Sequence, residues 1–243
     1  QTVAANLGSM ATPVGNPQNL FIYAKYSVPA GDFFGVVLPV AGASLVLLVL
    51  AVLFGPKDGI EVNFGERAEI THSRRLALCI VLFIFCLLAV MRVVNYVAVT
   101  AVVFLTLLLV DRAALKQVDY CLLLTFVFFF IFAGNIGNIP AVNDTLSGML
   151  NGSTFFTSLL ASQVISNVPA AVLLAGFTED WKGLLLGTDV GGLGTIIASL
   201  ASLISFKLYC ATPGAKGGKY LLWFTVVNVA ALALFIPLAL LLL

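Results

Sequence analysis

Leu7-Gly8-Ser9-Met10-Ala11-Thr12-Pro13-Val14-Gly15-Asn16-Pro17-Gln18-Asn19 decides how this chain is read. Apolar residues flank the stretch, yet two prolines, a glycine and two asparagines fall between positions 13 and 19. Proline removes a backbone N–H and collides with the preceding turn, so a helix entering this stretch is broken. Unwinding a helix inside a bilayer frees polar backbone groups that no lipid can satisfy. The break is therefore tolerated only where those groups line a cavity or hold an ion. Close helix packing through small residues is the plainer alternative. Two prolines beside two asparagines speak against it here.

That the setting is a bilayer follows from composition. Of 243 residues, 61% are hydrophobic and 9% charged, against about 25% charged in a soluble domain, and the mean hydropathy is +1.11. Between clusters of charge run apolar segments long enough to cross roughly 30 Å of hydrocarbon at about 1.5 Å per residue. Outward from the first break (1–28), spans are expected near 33–55, 76–91, 93–110, 120–139, 183–209 and 220–242. Arg92 and Asn95 mark a turn that divides the long run between Leu76 and Val110.

Residues 140–178 differ, being rich in Ser, Thr, Asn and Gly, with apolar runs too short to span. They read as a re-entrant hairpin with arms near Phe155–Ile165 and Ala170–Phe177 and its tip at Ser166-Asn167-Val168-Pro169. Charge tests this. With a hairpin, Lys57, Arg67, Arg74, Arg75, Arg112, Lys116, Lys207, Lys216 and Lys219 share one side, and only Lys25, Arg92 and Lys182 the other, nine against three of the twelve basic residues. A full span here would lower the contrast to seven against five. The larger asymmetry, with the first group cytoplasmic, places the C-terminus outside a multi-pass plasma-membrane protein.

A second interrupted stretch, Gly191 to Ser202, aligns with the first without gaps at an offset of 183, pairing Gly8 with Gly191, Thr12 with Thr195 and Tyr26 with Tyr209. Asn16 pairs with Ser199, and Asn19 with Ser202. Helix packing through small residues stays open as an alternative for this stretch. The expected topology runs the two stretches in opposite directions, as in inverted-repeat transporters whose ligands bind at the breaks. The domain reading is then 1–55 as the end of a first repeat, 56–75 as a cytoplasmic linker and 76–243 as a second repeat. The fold class is an all-α polytopic membrane protein with an inverted repeat, broken helices and a re-entrant hairpin.

At Gly8 to Asn19 in the first break and at Ser166-Asn167-Val168-Pro169 the sequence resembles the ion transporter superfamily of arsenite permeases, citrate transporters, sodium/proton antiporters and divalent anion/sodium symporters. The resemblance covers essentially the whole chain and implies helices five to eleven of that fold. Helices one to four and an inner hairpin are then absent, and the chain, opening on Gln1 without a signal-peptide pattern, reads as the C-terminal part of a longer protein. It further implies that Ser166 and Asn167 contact substrate and ion. Groups around Thr12, Asn16, Thr195 and Ser199 would complete two ion sites. Val168 and Pro169 depart from the Ser-Asn-Thr tip usual in carboxylate carriers and remove one hydroxyl.

Asp189 is the one acid within an expected span, and an intramembrane carboxyl is by default a functional candidate, whether it couples an ion, caps a half-helix or lies in a wet vestibule. The candidate binding set is therefore Thr12, Gly15, Asn16, Asn19, Ser166, Asn167, Asp189, Gly194, Thr195 and Ser199. Asp32, Asp144, Glu179 and Asp180 read as solvated outer ends. Cys79, Cys86, Cys121 and Cys210 read as small buried apolar residues, and His72 as solvated, so no metal site beyond sodium and no organic cofactor is expected.

The function expected is secondary active transport of a small anion, a carboxylate or an inorganic oxyanion, by an elevator-type movement. Metalloid efflux and sodium/proton exchange are the alternatives. Neutral oxygens at the breaks favour sodium as the coupling ion; Asp189 is the only deep group that serves a proton. A serine protease would need an intramembrane histidine and an aspartyl one two acids, so an enzyme is not expected, and no filter motif marks a passive channel. A net charge of +1 gives nucleic acid no basic surface. The partners are the anion, the lipid bilayer and, in the full-length protein, a second copy in a homodimer.

The orientation is testable. A cysteine placed at Lys216 is expected to react with an impermeant thiol reagent from the cytoplasmic side; labelling only from outside overturns the topology.

Overall fold

Thirteen helices and no strand make up the described residues, 2–54, 72–136 and 138–243, of a computed structural model of the chain. In order they are α1 (Thr2–Ser9), α2 (Pro17–Lys25), α3 (Ala30–Phe54), α4 (Ser73–Val90), α5 (Tyr96–Val110), α6 (Arg112–Lys116) and α7 (Tyr120–Ile136). There follow α8 (Pro140–Gly152), α9 (Thr154–Ile165), α10 (Asn167–Leu174), α11 (Trp181–Gly191), α12 (Leu200–Cys210) and α13 (Gly217–Leu240). Among them α3, α4 and α13, of 25, 18 and 24 residues, are each long and apolar enough to cross a bilayer alone. The protein is an all-α polytopic membrane protein.

The expected breaks are present. α1 stops at Ser9 and α2 starts at Pro17; α11 stops at Gly191 and α12 starts at Leu200. In the 183-residue register, Asn16 and Ser199 coincide, and both are N-caps: Asn16 Oδ1 accepts from the Asn19 N–H at 3.0 Å and Ser199 Oγ from the Ser202 N–H at 3.1 Å. A side-chain oxygen at this position satisfies an N–H that the first turn leaves without a partner. The paired sequence positions thus do the same local work.

The hairpin is narrower than its expected range. Residues 140–152 form α8, opened by Pro140 at its first turn, and Ser153 separates it from α9, whose Phe156 N–H donates to Ser153 Oγ at 3.2 Å. The hairpin proper is α9 and α10, joined at Ser166. At about 1.5 Å per residue these arms are roughly 18 and 12 Å long, each shorter than the roughly 30 Å of a bilayer's hydrocarbon core.

Contacts divide the chain into two compact units, residues 1–50 with 121–243, and residues 51–120. In the second, α4 and α5 pack together across the turn expected at Arg92 and Asn95. Arg92 takes φ 60°, and Asn95 caps α5 by accepting from Val97 N–H at 2.8 Å. Residues 56–71 of the expected linker lie outside the described residues; His72, beyond them, is exposed at the start of α4.

In the first unit α11 is the centre, buried from Gly183 to Gly191. It packs on α9 above all, and also on α10, α2, α13 and α1. Gly183, Gly187 and Gly191 recur every fourth residue, facing α9. A Cβ on Gly187 would stand 2.0 Å from Ser158 Oγ and 2.5 Å from the Phe155 carbonyl oxygen, and one on Gly191 would stand 3.0 Å from Leu159 Cα. Small residues at this spacing let backbones approach where no hydrophobic effect drives helices together. The cysteines correct an expectation: Cys79, Cys86, Cys121 and Cys210 are all exposed. Apolar neighbours in sequence do not separate a lipid-facing helix surface from a core, because both are apolar.

Gly187→Val is expected to force α9 from α11 and lower the thermal midpoint in detergent, since overpacking a filled contact costs about 1–3 kcal/mol or more. Gly148→Ala, where a Cβ meets nothing within 4 Å, serves as the control that leaves it unchanged.

Candidate functional site

Each break is a short unwound segment whose polar groups are met by side chains from elsewhere in the fold. In the first, Thr12 is exposed, and its carbonyl accepts from the Gly15 N–H at 3.1 Å, closing a tight turn. Gly15 is required there, because a Cβ would lie 1.9 Å from the Ser9 carbonyl oxygen. Asn16, besides capping α2, donates from Nδ2 to Ser9 Oγ and to Asp189 Oδ1, both at 3.3 Å. Asn19 is fully buried and donates to the Met10 carbonyl at 3.1 Å.

In the second break Gly194 adopts φ +103°, where a side chain is strained whatever the space around it. Gln163, three residues before the hairpin tip, organises the segment. Its Nε2 donates to the carbonyls of Gly191 at 2.7 Å and Leu193 at 2.9 Å, and its Oε1 accepts from the Thr195 N–H at 2.9 Å. The Thr195 hydroxyl returns a bond to the Gln163 carbonyl at 3.0 Å. A long amide side chain three residues before the tip, in an arm whose other polar residues are only Ser and Thr, is the signal in the sequence that marks it.

The tip rests on the same break. The Asn167 N–H donates to the Ala198 carbonyl at 2.9 Å, and Ser166 Oγ reaches that oxygen at 3.4 Å. Ser166 holds φ 73° and ψ 153°, a region nearly confined to glycine that costs about 1–3 kcal/mol and persists only when its surroundings enforce it. Here two bonds to one carbonyl enforce it. Ser199, beside Ala198, is buried and shares a contact of 2.9 Å between its hydroxyl and that of Ser202.

Asp189, 2% exposed in the last turn of α11, ties the breaks together. Its Oδ1 accepts from Asn16 and also from Gln18 Nε2 at 3.1 Å. In the other direction Asn6 of α1 donates to the Gly192 carbonyl at 3.1 Å and to Ser202 Oγ at 3.4 Å. Asn6 and Gln18 were absent from the expected set. Of that set, Asn16, Asn19 and Asp189 gather at the first break, and Ser166, Asn167, Gly194, Thr195 and Ser199 at the second. Val168 at the tip and Val14 to Pro17 at the first break also line one open cavity of about 570 Å³, walled by Phe126 and Phe130.

The family model described as citrate transporter matches residues 1–180. The chain belongs to the citrate transporter family. An uncharacterized transporter of Methanocaldococcus jannaschii is 33% identical over 220 residues, which is 90% of this chain and 59% of that protein. The inner membrane protein YbiR of Escherichia coli is 32% identical over 212 residues, 86% of this chain and 57% of its own length. The chain thus spans less than two thirds of either relative. No solved structure matches it.

Gln163→Leu keeps the volume of the side chain but strips the Gly191 and Leu193 carbonyls of their donor. A buried group left unpaired costs about 1–3 kcal/mol, so the variant is expected to lose thermal stability and any ligand protection that depends on the second break. Melting measured with and without substrate checks both.

Proposed function

We propose that the full-length protein is a secondary active transporter of a small anion, with a multivalent carboxylate such as citrate foremost and an inorganic oxyanion next. Transport is driven by a sodium or proton gradient across the plasma membrane. The observation that carries this reading is the convergence of the hairpin tip and the first break on one cavity. The first turns of α10 and α2 border it through Val168, Asn16 and Pro17, and a helix N-terminus carries a partial positive charge that favours an anion. The N-terminus of α12, capped by Ser199, follows the Ala198 carbonyl on which the tip rests.

Neutral oxygens supply the cation side. Ser166 Oγ, the Ala198 carbonyl, Thr195 and Ser199 gather at the second break, a donor set of the kind that replaces the water around sodium without a formal charge. Thr12, Gly15, Asn16 and Asn19 are the corresponding groups at the first. Alternation of access is assigned to an elevator-type movement in which the hairpin and both broken helices travel together, because every break is fastened to another element of that group. The family description, which is of citrate transporters, supports placing a carboxylate first. Loss of a hydroxyl at Val168 argues for fewer direct bonds to it. The reading also carries the outside C-terminus and homodimeric assembly.

The decisive experiment is uptake by the full-length protein in vesicles, with a sodium or a pH gradient imposed separately over a panel of carboxylates and oxyanions. Accumulation above equilibrium under either gradient, lost in Asn167→Ala, is expected. Equilibration without accumulation would make the protein a passive channel, and indifference of every anion would refute the substrate class.

A further inference from the structure

Away from the breaks and the hairpin tip, a cavity of about 420 Å³ opens between the first turn of α1, the last turn of α12 and one face of α13. On α13 its lining steps through Lys219, Tyr220, Trp223, Phe224, Val227 and Asn228, a descent of roughly 13 Å at about 1.5 Å per residue. Thr2, Tyr209 and Lys219 all lie at helix ends, so the mouth stands at the membrane surface. Asn228 is halfway along the 24 residues of α13, so the floor lies deep in hydrocarbon. Polarity falls in the same direction. An ammonium and two phenol hydroxyls stand at the mouth, aromatic rings follow, and Val227 comes below them. Asn228 adds little at the floor, because its Nδ2 donates to the Phe224 carbonyl at 2.8 Å and its Oδ1 is buried beneath the cavity surface.

The mouth is ordered and has hydrogens to give. The rings of Tyr209 and Tyr220 stack with centroids 4.8 Å apart, and Phe224 extends the stack at 5.9 Å. Tyr220 Oη lies 3.4 Å from Thr2 Oγ1, which ties the wall to α1. Tyr209 Oη accepts from the Lys216 N–H at 3.3 Å and keeps its own hydrogen. Among the described residues, neither that O–H nor the Lys219 ammonium has an acceptor.

We infer that this cavity seats an anionic phospholipid, its phosphate held by Lys219 and the Tyr209 hydroxyl and one acyl chain laid along Trp223 and Val227. Charge decides the head. Lys219 is the one charged residue that lines the cavity, and residues 200–240, which form α12, α13 and the turn between them, hold Lys207, Lys216 and Lys219 but no acid. That end of the helices is the side expected to be cytoplasmic, where the leaflet carries anionic lipid and basic pockets between helices take its headgroups. The taper decides the tail. A free phosphate uses the mouth alone and leaves the apolar length below it empty, whereas a phospholipid grades from charge to hydrocarbon as the lining does. Trp223, 60% exposed, is the amphipathic ring that membrane interfaces favour. Bound there, the lipid bridges α1, α12 and α13, so its loss is read in thermal stability.

The test takes the full-length protein, stripped of lipid in a neutral detergent and titrated with phosphatidylglycerol or with phosphatidylcholine of the same acyl chains. Phosphatidylglycerol is expected to raise the thermal midpoint at the lower concentration. Lys219→Gln is expected to weaken it about fivefold, the contribution of one basic residue at a membrane surface. Lys216→Gln removes the same charge off the lining and is expected to keep most of the preference, while Trp223→Ala weakens both lipids alike. Native mass spectrometry is expected to find one phosphatidylglycerol retained per chain and lost in Lys219→Gln. Inorganic phosphate is expected to give no protection; protection by it alone reduces the cavity to an anion site and overturns the lipid assignment. Equal responses to the two lipids, or a preference that survives Lys219→Gln, overturns it as well. So does a full-length protein that responds to neither lipid, since its own chain then fills the cavity.

Discussion

Inside hydrocarbon a backbone amide has no water to turn to, and everything distinctive in this fold follows from meeting that requirement at three places where the helix is interrupted. At the first break the Ser9 and Met10 region is met by Asn16 and Asn19. At the second, Gln163 covers the carbonyls of Gly191 and Leu193. At the tip, the Ala198 carbonyl receives both Ser166 and Asn167. The second break and the tip depend on each other's elements, while the first is met by Asn16 and Asn19 of its own continuation.

The close approach of α9 to α11 is what makes this lending feasible. Glycines at every fourth position of α11 let a hairpin arm lie directly against it, and the arm delivers Gln163 to the end of α11 where the helix stops. Packing and polar satisfaction are one arrangement here. A bulkier α11 would hold the arm away, and the unwound carbonyls would then face lipid.

Much of this could be read from the residues. Proline and asparagine at 13–19 place a break whatever the tertiary context, and Ser166-Asn167-Val168-Pro169 places a tip between two apolar runs too short to span, although the turn falls at Ser166 and Val168, the residue before proline, is already helical. The matching caps at Asn16 and Ser199 were visible as aligned polar positions. What escaped were the partners. Gln163, Gln18 and Asn6 stand among other polar residues of α9, α2 and α1, and which of these is used depends on which face meets which neighbour, a property of packing that one sequence's periodicity does not carry. The cysteines escape for the same reason, and α8 because its Ser and Asn content groups it with the hairpin, whereas Pro140 and Ser153 bound a separate helix.

The bonds that unite the two halves join residues far apart along the chain: Asn6 to Gly192, separated by 186 positions, and Asn16 to Asp189, by 173. A ribosome adds about 5–20 residues per second, so the early helices enter the bilayer many seconds before their partners exist. During that interval the Pro13 to Asn19 segment has no carboxyl to meet it and must shelter against the translocation machinery, a chaperone or water at the membrane surface. Assembly of the centre is therefore a late, post-insertion event, and a chain that stops short of Asp189 leaves a polar gap in its first helix for quality control to find.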